Sequence, residues 1–113
     1  MNVLAPIASA RGAVASNASR PATAILHDSP DLRVVVFRIG AGQEVPPHRS
    51  PSTVMLSVLS GAGVLSGESG AQTEATCATG DAVTYAPNEL HGMRAIAEEM
   101  VVLATITPRP GTR

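Results

Sequence analysis

Glycine, proline and Asp/Asn turn residues interrupt this chain every few positions, and that punctuation leaves no room for a long helix. No window carries an apolar stripe of helical period beyond about ten residues, so amphipathic helices are excluded as the main building unit. The stretches between the breaks are short and rich in β-branched residues, which suits strands. Ala22 to His27 and Leu32 to Ile39 flank the turn Asp28-Ser29-Pro30-Asp31 and read as a hairpin. Gly40-Ala41-Gly42 closes it, and Pro46-Pro47 holds the backbone extended into His48. Ser52 to Leu59, Val64 to Ser66, Ala71 to Ala78, Ala82 to Tyr85, Leu90 to Ile96 and Met100 to Thr107 follow as strands. Their separators are Ser60-Gly61-Ala62-Gly63, Gly67-Glu68-Ser69-Gly70, Thr79-Gly80-Asp81 and Pro87-Asn88-Glu89. Ala71 to Ala78 is polar on alternate positions and reads as solvent-facing. About eight short strands in 113 residues predict an all-β closed sandwich or barrel.

Residues 1–20, rich in Ala and Ser and broken by Pro6, Gly12 and Asn17, read as an N-terminal arm or edge strand. Residues 21–113 read as one barrel domain, with Pro108 to Arg113 a loop-like tail. A chain of this length buries roughly two-thirds of its unfolded surface, enough for a core without staples. With one Phe, one Tyr and no Trp, that core is aliphatic.

Charge and composition remove several functions. A net charge of −1, with eight scattered Arg and no Lys, gives no basic face for duplex nucleic acid. Two aromatic residues give no stacking platform for single strands. One cysteine, Cys77, excludes an internal disulfide framework and a Cys-rich zinc site. No apolar run approaches the roughly 18–20 residues of a membrane helix. The N-terminus lacks the basic start and long apolar stretch of a secretory signal, so a cytoplasmic location is expected. Histidine chemistry is left to His27, His48 and His91.

Two of those histidines lie in patterned stretches. Gly42, His48 and Gly61 recur at the spacing G-x5-H…G in a segment that also holds Ser50 and Val54. Gly80, Pro87, Asn88 and His91 form a second group. Together these stretches resemble the two signature motifs of the cupin superfamily, G-x5-H-x-H-x3-4-E-x6-G and G-x5-P-x-G-x2-H-x3-N. The resemblance covers about Leu32 to Thr107 and implies an antiparallel double-stranded β-helix, the RmlC-like jelly-roll cupin barrel. In that family two His and a Glu of the first motif and the His of the second hold a metal. Here Ser50 stands at the second His position and Val54 at the Glu position. His48 and His91 are the remaining candidate ligands for a divalent transition metal (Zn, Ni, Mn or Fe), a short set for such ions.

Strand alternation extends the candidate site. With His48 and His91 facing inward, Ser50, Val54, Leu56, Val58 and Met93 share the barrel interior, and Tyr85 lies near its mouth. The expected ligand pocket is mostly apolar, with two imidazoles, a hydroxyl and a thioether. His27 reads as a surface residue, Cys77 as an unreactive thiol, and Met55 and Met93 as core filler. Arg38, Arg49 and Arg94 read as outward-facing.

The leading expectation is a small cupin that binds a largely apolar small molecule in its barrel with little or no catalysis. One alternative is a cupin-type metalloenzyme, an oxygenase or isomerase, using the two histidines. Another is a metal-free acid–base isomerase with a His as base and Tyr85 as acid. No catalytic residue is assigned. A homodimer is expected, because a small barrel has open strand edges and the N-terminal arm is apolar enough to cover one.

Overall fold

The computed structural model describes residues 1–68 and 72–111. Ser69, Gly70 and Ala71, expected to end a turn and open a strand, lie outside the described residues, as do Thr112 and Arg113 of the expected tail loop. The β-branched runs between the breaks become β1 (Ala22–Ser29), β2 (Leu32–Ile39), β4 (Thr53–Ser60), β5 (Ala62–Ser66), β6 (Glu74–Ala78), β7 (Ala82–Tyr85), β8 (His91–Ala95) and β9 (Met100–Thr107). The diproline stretch adds β3 (Glu44–His48). Proline cannot donate to a ladder, and β3 sits where that matters least, at a sheet edge.

Two antiparallel sheets result, ordered β1-β2-β9-β4-β7 and β3-β8-β5-β6. This is the all-β jelly-roll architecture expected from the strand pattern and the motifs. Alternation fills the space between the sheets. Val54, Leu56 and Val58 of β4 are each 2% exposed, whereas Thr53 and Met55 point out. They pack with Val35, Ile39, Leu65, Met93, Met100 and Val102 into one aliphatic core. Met55, expected as core filler, is instead an exposed outer-face residue, because its neighbours Val54 and Leu56 take the inward positions.

The run Met100-Val101-Val102 is apolar on successive positions, so both faces of β9 need cover. The N-terminal segment supplies the outer cover. Where residues 1–20 were read as an arm or edge strand, Pro6–Gly12 forms a short helix, α1. Pro6 suits the first helical turn, and alanines follow it. Ala10 of α1 is fully buried against Val36 and Val101. Arg38, expected to face solvent, holds the end of this helix through Nε–H to the Ala10 carbonyl and Nη2–H to the Ala13 carbonyl, both at 2.9 Å.

One motif glycine has a steric reason. Gly61 has φ +79°, and a Cβ there would lie 2.0 Å from the Glu99 carbonyl oxygen. Among the described residues no helix is long and apolar enough to cross a membrane.

Candidate functional site

Strand β3 pairs with β8 so that His48 and His91 are direct partners in the ladder. Their imidazole centroids lie 4.3 Å apart, with the ring planes 57° from each other. His91 is 5% exposed, while His48 stands at the surface, so the pair runs from the barrel interior to solvent. On the inner side the Tyr85 ring lies 5.1 Å from His91.

Both rings are held the same way. The Nδ1–H of His48 donates to the Pro46 carbonyl at 3.0 Å, and the Nδ1–H of His91 donates to the Glu89 carbonyl at 3.1 Å. A carbonyl oxygen can only accept, so Nδ1 carries the proton in each ring. In the neutral form each ring then has its lone pair on Nε2. Burial pushes the His91 pKa down, the carbonyl and carboxylate of Glu89 partly oppose it, and the neighbouring His48 adds to the lowering.

No protein-family model and no curated protein matches the chain. Solved structures do. An RmlC-like cupin protein from Desulfovibrio desulfuricans is 29% identical, with 86% of this chain and 91% of that one aligned at a TM-score of 0.73. An uncharacterised conserved protein with a double-stranded β-helix domain, from Klebsiella pneumoniae, is 23% identical over 91% of this chain and 90% of that one, at a TM-score of 0.77. The chain has the double-stranded β-helix fold of small RmlC-like cupins. The DMSP lyase DddQ from Ruegeria pomeroyi has the same fold at 20% identity and a TM-score of 0.74, over 91% of this chain and 55% of its own.

The cupin motifs bring only part of the expected pocket to one place. His48, His91 and Tyr85 form one group, and the half-buried Ser50 lies on the loop that follows β3. Val54, Leu56, Val58 and Met93 are buried members of the aliphatic core between the sheets. A cavity of about 280 Å³ opens instead between β5, β6 and β7. Of the expected pocket residues only Tyr85 borders it, with Leu65, Ala75, Val83 and Glu89.

The donor set does not fit the metal that cupins often hold. Ser50 Oγ accepts the Ser52 N–H at 3.2 Å within its own loop, and Val54 has no donor atom. Among the described residues no group of three or more His, Cys, Asp or Glu side chains could hold an ion. Two imidazoles alone fall short of the three or four strong N/O ligands such ions favour.

Tyr85, the expected acid, is 3% exposed and donates its hydroxyl proton to the Ser66 carbonyl at 3.0 Å. Burial, with smaller contributions from Cys77 and Glu89, pushes its pKa up to about 12. Cys77 is buried, and that burial raises its thiol pKa, as an unreactive thiol requires. His27 is partly buried and bonds to Ser29 Oγ at 3.0 Å.

The sequence reading missed one group beside the histidines. Arg49, expected to face solvent alone, binds the Glu68 carboxylate through both Nη atoms and the Asn88 carbonyl at 2.8 Å. Glu68 also accepts the Leu90 N–H at 2.9 Å. These partners lie 19 to 39 residues apart on three separate loops, so no local spacing could have signalled them.

Proposed function

We propose that this cupin-fold protein binds a small molecule through the paired Nε2 edge of His48 and His91, at the mouth of the barrel, with no resident metal and little catalysis of its own. The observation that carries this reading is the matched anchoring of both Nδ1–H groups on backbone carbonyls. Two acceptors fixed side by side suit a ligand with a hydrogen-bond donor, such as a small alcohol, amide or amine. The aliphatic core packed between the sheets argues for the mouth rather than the barrel centre as the binding place.

The enzyme alternatives have less support. The metalloenzyme reading lacks its ligand set. The acid–base reading lacks its acid, because the Tyr85 proton is committed to the Ser66 carbonyl. Likeness to a DMSP lyase at 20% identity is a likeness of fold and does not bring that activity here.

The test is a fragment set of small alcohols, amides and amines, read by imidazole ¹⁵N resonances. A supporting fragment shifts the Nε2 signals of both His48 and His91 and stops binding in His48→Ala. Fragments that perturb only other residues overturn the reading. So does one transition-metal ion per purified chain that His48→Ala removes.

A second copy of the chain is the proposed partner. Met1, Val3, Leu4 and Ile7 are exposed apolar residues on and before α1, and β1 offers an unpaired sheet edge. Sedimentation at two concentrations is expected to give a dimer mass, and a monomer mass at both overturns this.

A further inference from the structure

We infer that Glu68, clamped by Arg49, is a positioning residue for His91: it orients the Glu89–Leu90 peptide unit and so decides which ring nitrogen His91 offers to a ligand. The inference rests on the reading that His91 Nε2 is a working atom.

The argument runs through one peptide plane. The Glu89 carbonyl, which accepts His91 Nδ1–H, and the Leu90 N–H, which Glu68 accepts, belong to the same peptide unit. That unit is planar and trans, so its C=O and N–H point in opposite directions. Holding the N–H on the Glu68 carboxylate therefore aims the C=O at His91. Rotation of the plane would break both bonds together.

The residues on either side keep the plane from turning. Asn88 has φ +66°, a left-handed conformation uncommon outside glycine. Its N–H donates to the Ser50 carbonyl at 2.7 Å and its own carbonyl accepts Arg49 Nη1–H, so both sides of this strained residue are tied. The Glu89 side chain accepts the Ala86 N–H at 3.1 Å, which closes the turn before it. Arg49 comes from the loop after β3, Glu68 from the loop after β5, and residues 86–90 from the loop after β7. The three loops meet at one carboxylate.

The pair is poorly placed to act mainly as a stabiliser. The Arg49 and Glu68 side chains are 54% and 38% exposed, and ion pairs at such sites add little to folding stability. The bidentate contact does supply fixed geometry. Arg49 holds the Glu68 pKa down, so the carboxylate is ionised as an acceptor across the neutral range.

The test needs no ligand, so failure here and failure of the ligand reading are distinguishable. Imidazole ¹⁵N shifts at pH 8, where His91 is neutral, report its tautomer directly. Wild type is expected as the Nδ1–H tautomer. In Glu68→Ala the ratio of Nε2–H to Nδ1–H tautomer at His91 should rise about tenfold, the scale of one lost hydrogen bond. Glu68→Gln keeps an acceptor for the Leu90 N–H and should stay near wild type. The control is Glu74→Ala, which breaks the comparable two-bond pair with Arg94, also on β8, and should leave the tautomer unchanged. Should Glu68→Ala fail to fold, Arg49→Ala replaces it with the same expected direction. An unchanged tautomer in the folded variant overturns the inference, as does an equal shift in Glu74→Ala.

Discussion

His48 and His91 face each other across the β3–β8 ladder with their ring centroids 4.3 Å apart, one ring at the surface and the other in the core. Beside His91 lie His48, the Tyr85 ring and both the backbone carbonyl and the carboxylate of Glu89; burial, with a smaller contribution from His48, outweighs Glu89 and lowers the His91 pKa from 6.5. The sign follows from linkage. The unfolded chain binds the His91 proton more readily than the folded one, so stability rises with pH between the lowered folded value and 6.5. This contribution is complete above pH 6.5 and is lost as the pH falls through the folded-state value. Urea unfolding from pH 8 down to pH 5 should show stability falling on the acid side, by at most about 1.4 kcal/mol per pH unit from this group. His91→Gln should flatten that part of the curve, and an equally steep fall in the variant would contradict the assignment.

Tyr85 provides a second measurable contact. Its hydroxyl donates to the Ser66 carbonyl at 3.0 Å and joins β7 of one sheet to β5 of the other. Tyr85→Phe keeps the ring against His91 but leaves that carbonyl without this donor. The expected cost is about 1–2 kcal/mol in chemical denaturation. The His48 and His91 ¹⁵N resonances should stay at their wild-type positions, because the tyrosine proton does not reach either ring.

The motif glycines separate backbone strain from steric blockage. Gly42 has φ +80° with nothing within 4 Å of a built Cβ, so Gly42→Ala carries only the left-handed penalty, about 1–2 kcal/mol. Gly61 has nearly the same φ, but its Cβ would collide with the Glu99 carbonyl. Gly61→Ala adds overpacking against backbone and is expected to cost about 3–5 kcal/mol. Equal midpoints for the two variants in thermal or urea unfolding would mean that the chain near Glu99 yields easily.

The barrel was legible because its signals are local. Gly and Pro end the strands where the turns occur, and the alternation of Val54, Leu56 and Val58 with Thr53, Met55 and Ser57 assigns faces along β4. The pairing of His48 with His91 was legible only through the resemblance to the two cupin motifs. What alternation does not encode is the gap between sheets: it says that Val54 points inward, but not that Leu65, Met100 and Val102 fill the space it enters. The Arg49–Glu68 contact and the α1 clamp were illegible for a related reason. Each joins residues that are distant in the chain, and neither Arg49 nor Arg38 differs locally from a solvated arginine.

Arg38 is the residue on which α1 depends. A seven-residue helix is too short to persist alone in water, so its order must come from tertiary contacts. Ala10 contributes packing against Val36 and Val101, and Arg38 contributes the two carbonyl contacts and an ion pair with Glu99 at 3.7 Å. Arg38→Ala removes the polar half of that attachment while leaving the apolar half in place. The expected loss is about 1.5–3 kcal/mol of local stability, the range for hydrogen bonds to a charged donor. Arg38→Lys should recover only part of it, because one ammonium cannot reproduce the guanidinium fork that spans Ala10 and Ala13. Hydrogen exchange provides the readout. Amides of residues 6–13 should lose protection in Arg38→Ala, while those of β5 and β8 in the opposite sheet keep theirs. Unchanged protection across 6–13 would mean that burial of Ala10 alone holds the helix to the sheet.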